Sequence, residues 1–183
     1  MKKAIVLFKE GFEEVEALSV VDVLRRGNIP CELVGMDKKE VTSSHHITIQ
    51  MDKIFDEECF DADLVVLPGG LPGATNLRDD ERVINLLQKF NENNKLIGAI
   101  CAGPISLQKA GIIKGKKFTC YPGFEDQLTD GIYTKSLVEV DGNIITGCGP
   151  AASFEFGYTL LDHLGGDSAP LKEGMQYNLL LSK

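Results

Sequence analysis

The sequence lacks a basic cluster, and with it the usual signature of a nucleic-acid-binding protein. Its 27 acidic residues outnumber its 19 basic residues, so the net charge is -8 at pH 7. The densest group of lysines is Lys114, Lys116 and Lys117, which is too small for the clustered basic face that nucleic acid requires. We therefore expect no nucleic-acid partner.

Long apolar runs are also missing, which argues against a membrane-spanning helix of about 18 or more apolar residues. The N-terminal MKKAIVLFKE has two lysines before a short apolar run, as a secretory signal peptide does. Lys9 and Glu10 end that run after five residues, so we favour a first buried strand instead. We expect a cytoplasmic protein without a membrane partner.

The cysteines do not follow the pattern of a disulfide framework. Their number is odd, none form a CxxC pair, and no secretion signal accompanies them. The few histidines are scattered and poorly spaced for zinc, so we expect no metal. The residues concerned are Cys31, Cys59, Cys101, Cys120, Cys148, His45, His46 and His163.

Short apolar runs alternate with helical patterns over the first part of the chain. The runs predict strands buried on both faces at residues 4–8, 31–36, 63–70 and 95–100. Helices are predicted at residues 12–26, 80–93 and 104–110. Residues 40–50 alternate loosely and can hold one or two short strands. This alternation favours a mainly parallel sheet with helices on both faces.

The pattern changes after residue 115. In VEVDGNIIT (138–146), Asp141-Gly142 lies between two alternating runs, which predicts a β-hairpin. Residues 153–166 predict a closing helix that ends at glycine. The length of 183 residues and the absence of repeats or linkers favour a single domain over residues 1–183. The predicted fold is α/β with an appended hairpin.

Cys101 stands where a parallel-sheet protein places its ligands, directly after a buried strand and just before a helix. A strand-to-helix turn flanked by small residues is the geometry of a nucleophile elbow. A helix N-terminus there would lower the thiol pKa and favour the thiolate. The alternative is that Cys101 is only a small buried residue, the usual fate of a free cysteine.

Small residues near Cys101 can supply an oxyanion hole. Ala102 allows close approach of backbone N–H groups, and Gly69-Gly70 ends the neighbouring apolar strand. Of the other cysteines, Cys31 and Cys59 are interpreted as structural. The segments that carry the remaining two, Cys120 and Cys148, can approach the same end of the sheet.

Four motifs in order along the chain resemble the DJ-1/ThiJ/PfpI superfamily, which has a class I glutamine amidotransferase-like fold. They are GFEEVEALSVVDVLRRG (11–27), VVLPGG (65–70), GAICAGP (98–104) and GPAASFEF (149–156). The first is similar to the DJ-1-like branch. The resemblance implies a flavodoxin-like three-layer sandwich, usually a homodimer, without metal or organic cofactor.

The resemblance also assigns two catalytic positions. Cys101 matches the elbow cysteine, and Glu16 matches a glutamate that shares a proton with it. The residues alone do not single out Glu16, because Glu13 and Glu14 are also acids near the helix start, where the helix dipole favours them. An acid among apolar helical neighbours is a candidate for a raised pKa. A protonated Glu16 could hydrogen-bond the thiolate or transfer protons.

The chain departs from the family at one position near the cysteine. A histidine before proline is expected, but FTCYPGFED places Tyr121 there, and tyrosine is a poor base at neutral pH. Tyr121 can still donate a hydrogen bond to a substrate oxygen. Ala102 follows the cysteine where the PfpI-type peptidases have histidine, so peptidase activity is not expected. Two secondary positions remain open: Arg26 is a dimer-interface arginine or a solvated cation, and His45 reaches the partner's cysteine or lies exposed in a loop.

Two functions follow from the resemblance. The first is a glyoxalase III-like or deglycase-like enzyme in which Cys101 and Glu16 act on methylglyoxal-type 2-oxoaldehydes or their adducts. The second is a non-catalytic redox sensor or stress-response, chaperone-like protein whose cysteine is oxidised without a resolving partner. The expected partners are a small aldehyde or an oxidant and a second copy of the chain.

Overall fold

The computed structural model describes residues 2–181 and is organised around a central β-sheet. The strands are β1 (Ala4–Phe8), β2 (Cys31–Gly35), β3 (Glu40–Thr42), β4 (Thr48–Gln50), β5 (Lys53–Ile54), β6 (Leu64–Leu67), β7 (Leu96–Ile100), β8 (Lys117–Phe118), β9 (Ile132–Tyr133), β10 (Val138–Asp141) and β11 (Ile144–Gly147). The helices are α1 (Glu14–Arg26), α2 (Gly73–Arg78), α3 (Glu81–Glu92), α4 (Ile105–Lys109), α5 (Ser153–His163), α6 (Ala169–Gly174) and α7 (Asn178–Leu181).

The main sheet has seven strands in the order β10-β11-β7-β6-β1-β2-β5. All neighbours pair in parallel except β10, which pairs antiparallel with β11 at one edge. Side chains of α1 and α5 form the apolar cluster on one face, and those of α2, α3 and α4 form the cluster on the other. The predicted flavodoxin-like three-layer sandwich with an appended hairpin is confirmed.

Strand β1 shows why the buried strands are continuous apolar runs. Ile5 and Leu7 join the cluster under α2 to α4, whereas Val6 and Phe8 join the cluster under α1 and α5. Both faces of the strand are covered by helices, so no position along it is left for a polar side chain.

The hairpin forms at the predicted Asp-Gly pair. Asp141 pairs with Ile144, which leaves Gly142 and Asn143 as a two-residue turn. Gly142 has a φ of +62°, a conformation that glycine adopts without steric cost. Residues 40–50 hold two short strands, β3 and β4, which pair with each other antiparallel and lie outside the main sheet.

The helix ends differ from the sequence predictions. α1 begins at Glu14 rather than at residue 12, because the Glu13 side chain caps it by accepting a hydrogen bond from the N–H of Glu16. Phe12 instead packs edge-on against Phe8 in the core, with 4.9 Å between ring centroids. α5 ends at His163 rather than at residue 166. Over residues 2–181, no helix combines the length and apolar character needed to cross a membrane.

The order of the strands places a crevice beside β1. The chain moves from β1 to β2 on one side and later returns to β6 and β7 on the other, so the direction of winding reverses at β1. In open parallel sheets, ligands bind at such a switch point, outside the carboxyl ends of the strands. The segments after β1, β6 and β7 meet there.

Candidate active site

Cys101 lies at a strained turn directly after β7. Its φ is +63°, in the left-handed region that costs a residue with a Cβ about 1–2 kcal/mol. Two backbone hydrogen bonds hold the turn: the Cys101 N–H donates to Gly147 O at 2.9 Å, and the Tyr121 N–H donates to Cys101 O at 3.0 Å. This is the elbow geometry that the sequence predicts, and it leaves the cysteine 9% exposed.

Glu16 reaches the elbow from the first turn of α1. Its side chain is fully buried, and Oε2 accepts a hydrogen bond of 2.7 Å from the N–H of Gly69. The carboxyl also hydrogen-bonds the Cys101 thiol. Of the three acids near the start of α1, Glu16 is thus the one that meets the cysteine.

Gly69 is required where these two side chains converge. A Cβ at this position would lie 2.7 Å from both Cys101 Cβ and Glu16 Oε2, and 3.0 Å from the backbone nitrogen of Ala102. No larger residue fits without moving the acid or the thiol. The glycine at the end of β6 therefore allows the contact.

The acid and the thiol oppose each other's ionisation. Burial raises the pKa of Glu16 to about 7, against the hydrogen bonds from Cys101 and Gly69 that favour the carboxylate. Burial, followed by the charge of Glu16, raises the pKa of the Cys101 thiol. Two adjacent anions are unfavourable in this buried site, so near neutral pH the pair carries at most one negative charge.

The expectation that a helix N-terminus lowers the pKa of Cys101 is wrong. α4 has only five residues and begins at Ile105, so its dipole is small and does not start at the cysteine. Only the backbone N–H groups of Ala102 and Gly70 favour the thiolate, and burial outweighs them. A charged Glu16 adds to the effect of burial.

The predicted oxyanion donors separate into two groups. The N–H groups of Gly70 and Ala102 face the sulfur, where they can also reach an oxygen bound next to it. The N–H of Gly69 is instead bonded to Glu16, so it is not a free donor. Its role is to position the acid.

The backbone of Tyr121 contacts the elbow, because its N–H donates a hydrogen bond to the carbonyl oxygen of Cys101. Its side chain is 48% exposed, and its ring approaches Gly149, where a Cβ would come within 3.1 Å of it.

Cys120 and Cys148 line a neighbouring groove of about 320 Å³. The proximity of Cys148 follows from the pairing of β11 with β7, which its own sequence context does not reveal.

Arg26 and His45 do not contact the thiol within this chain. Arg26 ends α1, about 15 Å along the helix from Glu16, and bonds Asp22 at 2.8 Å. His45 is exposed in the β3–β4 loop, with Nδ1 3.0 Å from Oε1 of Glu14, and this hydrogen bond raises the His45 pKa.

The same loop brings three possible metal ligands together. Within residues 2–181, one group of three or more possible ligands has its ligand atoms within 4.8 Å of one another, and it consists of Glu13, Glu14 and His45. Glu14 and His45 already form an ion pair, and Glu13 caps α1. The three side chains lie close together because these contacts stabilise the start of α1.

A sequence profile of the DJ-1/PfpI family matches residues 2–163 of the chain, from β1 to the end of α5. The chain belongs to the DJ-1/PfpI family. The profile thus spans all three segments that meet at Cys101.

Several named proteins are similar to the chain. The Parkinson disease protein 7 homolog of Danio rerio is 39% identical over 171 residues, which cover 90% of each protein. A glutathione-independent glyoxalase of Caenorhabditis elegans is 32% identical over 169 residues, again 90% of each. DJ-1 homolog B of Arabidopsis thaliana is 39% identical over 166 residues, 88% of this chain but 38% of the longer plant protein.

Solved structures of the family superpose on the whole fold. DJ-1beta of Drosophila melanogaster matches with a TM-score of 0.91 and 34% identity, covering 96% of this chain and 98% of the other. A DJ-1 superfamily protein of Salmonella typhimurium matches with a TM-score of 0.90 and 35% identity, covering 98% of both chains. The architecture of this chain is therefore that of the DJ-1 proteins.

Proposed function

We propose that the chain is a cofactor-independent enzyme that uses Cys101 to convert methylglyoxal-type 2-oxoaldehydes, or their adducts, into 2-hydroxy acids. The observation that carries this proposal is the fully buried carboxyl of Glu16, with a pKa of about 7, held against an elbow cysteine. An acid with that pKa can both accept and donate a proton at neutral pH. Similarity to a glutathione-independent glyoxalase supports the same reaction class.

The first step is addition of the thiolate to the aldehyde. The Cys101 thiol gives its proton to Glu16, and the sulfur bonds to the aldehyde carbon while the carbonyl electron pair moves to oxygen. The resulting alkoxide lies against the N–H groups of Gly70 and Ala102, and Glu16 gives it the proton, which completes a hemithioacetal and leaves Glu16 as a carboxylate.

The second step is a proton transfer between the two substrate carbons. The carboxylate of Glu16 removes the proton from the former aldehyde carbon, and the electron pair moves toward the neighbouring ketone. Glu16 then returns the proton to that second carbon, and the hydroxyl proton of the former aldehyde carbon moves to the former ketone oxygen, which leaves a thioester of the 2-hydroxy acid. Water cleaves the C–S bond and restores the thiol, so the net change is addition of one water molecule with no external oxidant.

The test is methylglyoxal loss and 2-hydroxy acid formation by wild type and three variants. Cys101→Ser should be inactive, and Glu16→Gln should lose about 10²- to 10⁴-fold, the usual contribution of general acid–base catalysis. Tyr121→Phe should lose only about 0.5–1.5 kcal/mol of transition-state stabilisation, one neutral hydrogen bond. Cys59→Ser, a buried cysteine under the other face, is the matched control. Turnover that survives Glu16→Gln but collapses in Tyr121→Phe would refute the mechanism.

A redox sensor is the second candidate function. The chain has tyrosine rather than histidine at position 121, so the usual imidazole base beside a reactive cysteine is replaced. A similar Toxoplasma gondii DJ-1, 32% identical with a TM-score of 0.84, has been solved in a form described as oxidized. A protein of this kind would show no turnover in any variant, and peroxide would modify Cys101.

We also propose that the protein acts as a cytoplasmic homodimer. The support is its likeness to the DJ-1 proteins together with Val15 of α1, an apolar side chain that is 48% exposed in the single chain. Light scattering behind size-exclusion chromatography measures the mass directly, and a monomer at all concentrations would contradict the proposal.

A further inference from the structure

Strand pairing brings a second thiol next to the elbow. β7 and β11 run parallel, with Ile100 opposite Gly147. Cys101 directly follows β7, and Cys148 directly follows β11. The Cys101 N–H donates to Gly147 O at 2.9 Å, so the two backbones are still paired at this point. Neighbouring strands lie about 4.8 Å apart, and a disulfide joins Cα atoms separated by about 4.4–6.8 Å.

Cys148 is the most accessible of the five thiols. It is partly buried, whereas the other four cysteines are buried. Its side chain packs against the same apolar cluster as Cys101, on the face of the sheet that α1 covers. Burial, and then the negative charge of Glu16, raises the pKa of the Cys148 thiol, so Cys148 lies within electrostatic reach of the acid that hydrogen-bonds Cys101.

We propose that Cys148 is the resolving thiol of Cys101, and that the two form a reversible disulfide when hydrogen peroxide oxidises the elbow cysteine. The inference does not depend on the glyoxalase-type reaction. It replaces the expectation from the sequence that an oxidised Cys101 has no partner.

The chemistry takes two steps. The Cys101 thiol gives its proton to the Glu16 carboxylate while its sulfur attacks one oxygen of hydrogen peroxide; the O–O bond breaks and hydroxide leaves, which oxidises the sulfur to a sulfenic acid. The Cys148 sulfur then attacks the sulfenic sulfur, its proton combines with the departing hydroxyl, and water leaves. Peroxide gains two electrons, and the two thiols together lose them.

Cys120 is the rival partner, because it lines the same groove as Cys148. It is fully buried and belongs to the cluster on the opposite face of the sheet from Cys101. Burial raises the pKa of both Cys120 and Cys148, so the choice between them rests on exposure and on the face of the sheet where each lies. We therefore assign Cys148 as the thiol that reacts with the Cys101 sulfenic acid before peroxide oxidises it further.

The experiment is peroxide treatment of the full chain, followed by alkylation, digestion under non-reducing conditions and peptide mass measurement. In wild type we expect a peptide pair joined through Cys101 and Cys148, lighter by two hydrogens and released by dithiothreitol. In Cys148→Ser we expect Cys101 to gain two oxygens as the irreversible sulfinic acid. Cys120→Ser is the matched control and should behave as wild type.

Three outcomes would overturn the assignment. They are a sulfinic acid at Cys101 to the same extent in wild type and Cys148→Ser, a disulfide between Cys120 and Cys148, and a link between two copies of the chain. Thermal unfolding of each variant, recorded before peroxide is added, shows that the comparison is made on folded protein. Since every readout is a mass, an inactive enzyme would not obscure the result.

Discussion

Glu16→Gln tests the buried acid through its effect on stability rather than on activity. The variant keeps the size of the side chain and an oxygen that can accept the hydrogen bond from Gly69, but it cannot ionise. Wild type and variant then differ mainly in the ionisation of the Glu16 carboxyl. The free energy of unfolding of the two proteins, measured across a pH series, isolates it.

The magnitude follows from the two pKa values of the carboxyl. In the unfolded chain Glu16 has its ordinary pKa of 4.5, and in the folded chain burial raises the pKa to about 7. Between these values the folded state binds more protons than the unfolded state, so stability falls as pH rises. One pH unit corresponds to about 1.4 kcal/mol, so the full cost of ionising Glu16 in the folded protein is about 3 kcal/mol.

The expected result is a difference that appears only over this pH range. Below pH 4.5 the carboxyl is protonated in both states, and Glu16→Gln should have nearly the stability of wild type. Above pH 7 the variant should be more stable than wild type by about 3 kcal/mol relative to that baseline.

Chemical denaturation at each pH measures the effect. Glu81→Gln is the matched control, since Glu81 is an exposed acid in the first turn of α3 and stays in water in both states. A constant difference between wild type and Glu16→Gln at all pH values would refute the raised pKa. A variant that loses stability as pH rises would show that the carboxylate is favoured in the fold.

Two further predictions concern the space around the elbow and the accessibility of the thiols. Gly69→Ala should destabilise the fold by about 1–3 kcal/mol in thermal unfolding, because the new Cβ would lie 2.7 Å from Cys101 Cβ and Glu16 Oε2. Gly174→Ala is the control: this position has open space around it, so the change should be neutral or slightly stabilising. Equal effects of the two changes would contradict the close packing. Iodoacetamide should label Cys101 and Cys148, the two most exposed cysteines, in the folded protein and reach Cys31, Cys59 and Cys120 only in denaturant. Peptide masses give the order, and early labelling of Cys31, Cys59 or Cys120 would contradict the burial described above.

The site was predictable where it depends on local sequence and not where it depends on contacts between distant segments. Position 101 follows from an apolar run, a cysteine and small residues, all adjacent in the chain. The direction of its pKa was predicted wrongly, because the sequence shows a helix nearby but not how deeply the thiol is buried or that an acid faces it. Gly69 was expected to bind an oxyanion, but its N–H is taken by a residue from another element.

The sequence by itself determined the secondary structure of the core and the place of the thiol. Runs such as 4–8 and 96–100 lack charged and polar side chains because helices cover both faces of the sheet, and Asp141-Gly142 specifies a tight turn by its own backbone preference.

Only the tertiary structure decided which groups surround that thiol. The residues alone do not single out Glu16 from Glu13 and Glu14, and the packing of α1 against the end of β6 selects it. The partnership of Cys148 with the elbow arises because β11 inserts beside β7, a choice of strand order that no local pattern encodes. Burial and strand order are properties of the assembled sheet, so the pKa of Glu16 and the neighbours of Cys101 follow from the fold and not from the residues taken one segment at a time.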